Sequence, residues 1–361
     1  MKEQVYAYAL QKVASVGAIR TRRLVEYFGS FETVWKASAK EILQSRTMGP
    51  KQAEKMLATR AEIDPEREYE RNQKLGVEIV TYWDEHYPPL LKECKHAPAA
   101  LVYRGVWPTW EKTLAVVGAR KCSPYGTNVC REIVGELARQ QVQIISGGAR
   151  GIDSVAHRAA LGQAPTIAVL ACGLDIVYPP ENKELFEQIT ATGVLISEYA
   201  LGTPPLGRQF PARNRIISGL SRGVLVVEAA AKSGSLITAD FALEDGRDVF
   251  AVPGNIFSSQ SQGTNHLLRQ GAIVVTKAED ILMEYGWSPA EEKEASRNIN
   301  LTAEQELVYR CCSMEDSVDL ESIILRTTFS LQKVTHILLQ LELQGLIQNI
   351  GNQHYIAISR K

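Results

Sequence analysis

Phe210-Pro211-Ala212-Arg213-Asn214-Arg215-Ile216-Ile217-Ser218-Gly219-Leu220-Ser221-Arg222-Gly223-Val224-Leu225-Val226-Val227-Glu228 is a polar, basic segment that runs straight into an apolar one. An apolar run that ends on a single acid reads as a buried parallel strand whose carboxyl end opens on a crevice. The residues before it read as a loop loaded with arginines. From Tyr199 to Val227 there is no Asp or Glu, whereas Arg208, Arg213, Arg215 and Arg222 all fall inside. In a chain of formal net charge -1 this is a local basic patch, and it implies a phosphate-bearing ligand.

Outward from that strand the pattern repeats. Apolar runs recur at Leu114–Val117, Gln143–Ile145, Thr166–Leu170, Gly193–Ile196, Asp248–Val252 and Ile273–Val275, with helical stretches between most of them. Such alternation predicts a doubly wound, mostly parallel α/β sheet with its ligand at the carboxyl ends of the strands.

The flanks differ. Residues 1–75 read as a helical domain with two similar punctuations, Ser15-Val16-Gly17-Ala18-Ile19-Arg20-Thr21 and Arg46-Thr47-Met48-Gly49-Pro50-Lys51. Glycine and a basic residue at a helix start resemble a helix-hairpin-helix unit, where backbone amides grip a phosphate; a plain glycine-capped turn is the competing reading. Residues 76–286 form the expected core domain, entered by a bridging strand and loop, and 287–300 a charged linker. Residues 301–361 predict three helices and a ribbon with its tip at Gly351-Asn352, a winged-helix plan. That segment carries five Lys and Arg against seven Asp and Glu, so a protein-contact or scaffold role is favoured over duplex reading.

Composition narrows the function class. At 361 residues, 45% hydrophobic and 22% charged, the chain reads as an ordinary soluble protein of two or three domains. No apolar run approaches the roughly 20 residues of a membrane span, and no signal-peptide core follows Met1. The six cysteines lack C-x-x-C or Cys/His spacing, so no metal site is expected and the thiols read as reduced and cytoplasmic.

Three glycine turns follow strands: Gly118-Ala119-Arg120-Lys121-Cys122-Ser123, Ser146-Gly147-Gly148-Ala149-Arg150-Gly151-Ile152-Asp153, and Ser233-Gly234-Ser235 leading to Thr238. Each lets backbone amides approach an anion at a helix N-terminus, and together they predict one anion groove. No Walker A loop and no strict G-x-G-x-x-G occurs, so ATP and NAD chemistry lose support and no cofactor is expected. Ser146, Asp153 and His157 invite a hydrolase reading, but no nucleophile elbow is present; Asp153 and His157 read as a hydrogen-bonded pair anchoring the glycine turn.

These motifs together resemble the DNA processing protein A (DprA, or Smf) family. The match runs through Val117-Gly-Ala-Arg120, Ser146-Gly-Gly-Ala-Arg150-Gly-Ile-Asp153, Cys172-Gly-Leu-Asp175-x-x-Tyr178-Pro-x-x-Asn182 and Ser197-Glu198-Tyr199. It continues through Phe210-Pro-x-Arg213-Asn214-Arg215, Ser233-Gly-Ser-Leu-Ile-Thr238, Pro253-Gly254 and Gly263-Thr-Asn265. The resemblance implies an extended Rossmann-like core with a helical head and winged-helix tail. It also implies binding of single-stranded DNA without catalysis, loading of the recombinase RecA in recombination and natural transformation, and a homodimer. The implied groove takes Gly118, Arg120, Ser123, Ser146, Gly147, Gly148, Arg150, Arg208, Phe210, Arg213, Asn214, Arg215, Ser233, Gly234 and Thr238. Phosphates would meet arginines and amides, and bases would meet Phe210 or Tyr125. Gly207 stands where family members often carry a lysine, with Arg208 beside it as a substitute. Arg215 has a structural alternative as partner of Glu228 or Glu198, and Phe210 as core. The rival functions are a nucleotide N-glycosidase or nucleotide sensor, which lacks a credible glutamate here, and a scaffold for recombination proteins.

Overall fold

The computed structural model describes residues 2–13, 16–287, 301–312, 318–344, 346–351 and 353–357. It divides into two compact units, Met1–Ser288 and Pro289–Lys361. The division expected near residue 75 falls inside the first unit. Most of the expected linker lies outside the described residues, as do Ser15 and Asn352 of the expected turns.

The first unit is built on nine strands: β1 (Glu78–Thr81), β2 (Ala100–Gly105), β3 (Thr113–Val117), β4 (Gln143–Ser146), β5 (Thr166–Leu170), β6 (Val194–Ser197), β7 (Gly223–Val226), β8 (Asp248–Ala251) and β9 (Ile273–Val274). Their order is β1-β2-β6-β5-β4-β3-β7-β8-β9. From β6 to β9 every pairing is parallel; β1 and β2 add an antiparallel edge, Val102 lying opposite Ser197. The chain steps from β3 to β6 in one direction and returns to place β7 on the other flank of β3, with Leu114 opposite Gly223 and Val117 opposite Val226. That reversal is the topological switch point, where strand-to-helix connections diverge and leave a crevice.

Alternation along each strand sends side chains to both faces. Leu114 and Val116 join Leu225 and Val227 under the helices Pro124–Arg139, Ile152–Ala160 and Ala278–Glu284. Ala115 and Val117 join Val224 and Val226 on the opposite face, against Ile216, Ile217, Ala239 and Ala242. The helices of residues 2–74 pack into a third cluster with β5, β6 and helix Lys183–Thr192, through Tyr8, Leu24, Phe31 and Met56. Both glycines of the expected hairpins, Gly17 and Gly49, are N-caps, of helices Ala18–Phe28 and Pro50–Ala61, with nearly identical backbone angles.

One segment differs from its sequence reading. The stretch before β7 is a helix, Gln209–Gly219, and not a loop. Its buried stripe is Gln209, Arg213 and Ile216, spaced as a helix requires but two-thirds polar, so no hydrophobic period shows. Pro211 is tolerated in the first turn, where an amide has no acceptor inside the helix.

The second unit contains helices Ala303–Cys311, Leu320–Thr327 and Leu331–Leu343. They cover a small sheet ordered β10-β12-β11, where β10 is Val318–Asp319, β11 Ile347–Gly351 and β12 His354–Ala357. Val308, Ile323, Val334, Leu338 and Leu341 form its core.

Candidate functional site

A groove of about 690 Å³ opens at the carboxyl ends of β3, β4 and β7. Gly118 to Lys121 form one wall, Ala230, Ser233, Gly234, Ser235, Ile237 and Thr238 another, and Ala149, Asp153 and Arg213 the floor; Gly207, Phe210 and Asn214 close the remaining side. This is the switch-point crevice, so the glycine turns after β3, β4 and β7 do meet in one place, as their sequences suggest.

How those turns are held is different from the expectation. Asp153, in the first turn of helix Ile152–Ala160, accepts from the amides of Gly147 (3.1 Å) and Ala149 (3.3 Å). The sequence reading assigns the Gly147 and Gly148 amides to a ligand anion, but the protein's own carboxylate occupies the Gly147 amide. Ser146 is fully buried and donates to the Val116 carbonyl at 2.6 Å, which ties β4 to β3. The carbonyl of Gly148 accepts from Asn182 Nδ2 (2.9 Å), and that same amide group also reaches Ser154 Oγ (2.8 Å). A side chain at Gly147 would press on Arg213 and Asp153, its Cβ 2.5 Å from the guanidinium; at Gly151 a Cβ would lie 2.2 Å from the Ala119 carbonyl, on a backbone with φ +75°.

The arginines around β7 go separate ways. Arg213 is only 4% exposed and donates to the carbonyls of Gly147 (2.7 Å) and Val169, at the ends of β4 and β5. Burial pulls its pKa down to about 10, which leaves it charged at neutral pH beside Asp153, whose carboxyl burial pushes upward. Arg215 donates to the His96 carbonyl at 2.7 Å and pairs with Glu198, the second of its two structural alternatives. Arg208 is exposed and lines a separate cavity on the far side of the helix start, so it does not stand in for a lysine at position 207 in the groove.

Other expected ligand groups are also engaged. Glu228, at the end of the β7 run, is 2% exposed and accepts from the Ser123 amide (2.8 Å) and hydroxyl (2.6 Å). Ser123 in turn caps helix Pro124–Arg139 by accepting from the Gly126 amide. Arg150 is exposed and pairs with Glu181. Ser233 caps helix Gly234–Glu244, the Gly234 carbonyl accepts from Asn214 Nδ2 at 3.2 Å, and Thr238 is 1% exposed. Asp153 and His157 do not bond each other: Asp153 does anchor the glycine turn, but His157 pairs with Thr166 through Nδ1 at 2.7 Å.

What remains accessible is compact. The Arg120 guanidinium lies over the Phe210 ring, 5.2 Å from its centroid, and Tyr178 tilts against the same ring at 5.6 Å. Phe210 is half-buried on the groove wall, so it is a wall residue and not core. Among the described residues neither Arg120 nor Lys121 has an ion-pair partner. Tyr125 is half exposed, with its hydroxyl donating to the Pro253 carbonyl. Sequence reasoning passes over Lys121, Tyr178 and Gln260, which line the groove. The Tyr178-Pro-x-x-Asn182 motif is the available signal for Tyr178. Among the described residues no group of three His, Cys, Asp or Glu side chains is placed to hold a metal, and no helix is long and apolar enough to cross a membrane.

Fold and site together define a doubly wound α/β protein whose switch-point crevice presents an arginine stacked on an aromatic ring. A model of the DNA recombination-mediator protein A family matches residues 78–286, more than half the chain. The chain belongs to that family. It is 39% identical over 293 residues to Protein Smf of Synechocystis sp., covering 80% of this chain and 74% of that protein. It is 47% identical over 204 residues to the DNA processing protein DprA of Streptococcus pneumoniae, covering 56% and 72%. The solved structure of the Streptococcus pneumoniae protein superposes with a TM-score of 0.70 at 38% identity, covering 79% of this chain and 99% of that one. DNA processing protein A from Helicobacter pylori, whose structure describes its single-stranded DNA binding mode, gives 0.53 at 30% identity, covering 58% and 95%.

Proposed function

We propose that this protein binds single-stranded DNA in the switch-point groove, largely without regard to sequence, and presents it to the recombinase RecA during DNA processing, recombination and natural transformation. The observation that carries the proposal is Arg120 stacked on Phe210 beside Lys121: a cationic and an aromatic surface, both accessible, at the mouth of one crevice. Phosphates need the cations and unpaired bases need the ring face, and neither feature reads base edges. The acid on the groove floor, Asp153, is occupied by backbone amides, which disfavours the N-glycosidase alternative. A cytoplasmic homodimer acting without cofactor, and a winged-helix tail that contacts protein, complete the proposal.

The test is fluorescence anisotropy of a labelled oligonucleotide, single-stranded against duplex, over a salt series. Phe210→Ala should lose about 1–3 kcal/mol of binding. Arg120→Ala should lower the salt slope by about one. Both should melt within a few degrees of wild type, since neither side chain is core. Equal binding by wild type and both variants overturns the assignment of the groove, and release of free base from a nucleoside monophosphate would support the enzyme instead. Recombinase loading is read separately, as the rate of RecA filament formation with and without the protein.

Gly207 offers a gain-of-function check. A Cβ there meets nothing within 4 Å, and the position faces the groove. Gly207→Lys should therefore tighten single-strand binding at low salt and steepen the salt slope by about one. An unchanged slope would remove residue 207 from the path of the strand.

A further inference from the structure

A second and larger cavity, about 1070 Å³, lies in the same unit on the other side of the first turn of helix Gln209–Gly219. That turn is the partition: Gly207, Phe210 and Asn214 line the groove, whereas Arg208, Ala212 and Arg215 line the cleft. The opposite wall comes from helices Lys2–Gln11 and Ala18–Phe28.

The charge in the cleft is one-sided. Its basic lining residues include Lys12, Arg20, Arg23, Arg208 and Arg215, while its acidic lining is Glu198. Lys12 is matched by Glu68 and Arg215 by Glu198. Arg23 and Arg208, both exposed, have no ion-pair partner among the described residues. A concave site with low-dielectric walls and unmatched cations concentrates positive potential and raises the local concentration of anions.

We infer that this cleft is a second nucleotide-binding site, in which Arg23 and Arg208 hold the sugar–phosphate backbone of the strand as it leaves the groove over the partition. The inference rests on the single-strand reading of the groove. A free mononucleotide offers the same phosphate chemistry, so the experiment separates the two sources.

Oligothymidylates of increasing length are titrated against the full chain, wild type and Arg23→Ala/Arg208→Ala, by anisotropy at several salt concentrations. Short oligonucleotides that fill only the groove should bind both proteins alike. Longer ones should bind wild type more tightly and with a steeper salt slope, by about one per arginine, and the double variant should lack this gain. Arg23→Lys, which keeps the charge, should retain it, and matching thermal melts exclude misfolding. A double variant that follows wild type at every length overturns the strand path. A fluorescent adenosine monophosphate analogue provides the second arm: its loss from the double variant, with no length effect, gives the cleft to a free nucleotide and not to the strand. If wild type binds no oligonucleotide at all, the groove reading fails and this arm alone decides the cleft, with no binding to wild type overturning it.

Discussion

Arg213→Ala is expected to lose about 3–5 kcal/mol of stability, because it removes one member of a buried charged cluster and leaves the others without compensation. The carbonyls of Gly147 and Val169 lose their donor, and Asp153 keeps its buried carboxylate without the guanidinium beside it. Urea unfolding followed by fluorescence should show a midpoint shifted far below that of wild type. Asp153→Asn on the Arg213→Ala background should recover part of the loss, since an amide in that place carries no charge; a double-mutant cycle would measure the coupling. Any loss of DNA binding in Arg213→Ala would then follow from a disordered β4 turn and not from a missing phosphate contact. A variant that unfolds like wild type yet fails to bind DNA would reverse this assignment and make Arg213, which lines the groove, a direct DNA contact.

The difference between sequence reading and structure is sharpest at this residue. The parallel strands from β3 to β8 are legible because nearly all their residues are apolar and buried on both faces, and the switch point follows from glycine turns after β3, β4 and β7. The segment of residues 208–215 is legible as basic, but its helical geometry is hidden, because buried Gln209 and Arg213 replace hydrophobic residues on the core-facing stripe. Helical spacing then sends the cations in different directions. Arg213 goes under the sheet ends, and Arg208 and Arg215 face the cleft of the helical head. Charge content in sequence does not reveal whether a protein carboxylate or carbonyl claims a donor first. Ser123, Ser146 and the Gly147 amide illustrate the point, each answered by a group distant in the chain or across the turn: Glu228, Val116 and Asp153. Arg120 and Phe210 do line the groove, since an exposed turn after β3 leaves few internal partners for the arginine.

Stability should also fall on mild acidification, through His157. Thr166 donates its hydroxyl proton to the Ile144 carbonyl at 3.0 Å, so toward His157 its oxygen acts as acceptor and Nδ1 carries the imidazole proton. Nε2 is then the basic nitrogen, and it is buried with no partner. Protonating it would place a cation in the interior with Arg213 and Arg158 as like-charged neighbours. Burial first, and those arginines second, drive the pKa from 6.5 down to about 3. The unfolded chain therefore takes up a proton below about pH 6.5, whereas the folded one refuses it until about pH 3. Within that window the unfolded state binds more protons, so stability declines as pH falls, by about 1.4 kcal/mol per unit for this single group. Urea midpoints measured between pH 7 and pH 4.5 should drop accordingly. His157→Asn, which offers an N–H to Thr166 and does not titrate, should start less stable but show a shallower decline. Asp153 works in the opposite sense in the acid part of the range: its raised pKa lets the folded state bind a proton before the unfolded one. The decline should therefore be steep below pH 6.5 and flatten toward the carboxylate range. A wild-type profile that stays level from pH 7 to pH 5, or a His157→Asn profile as steep as wild type, would show that His157 is not the group that sets it.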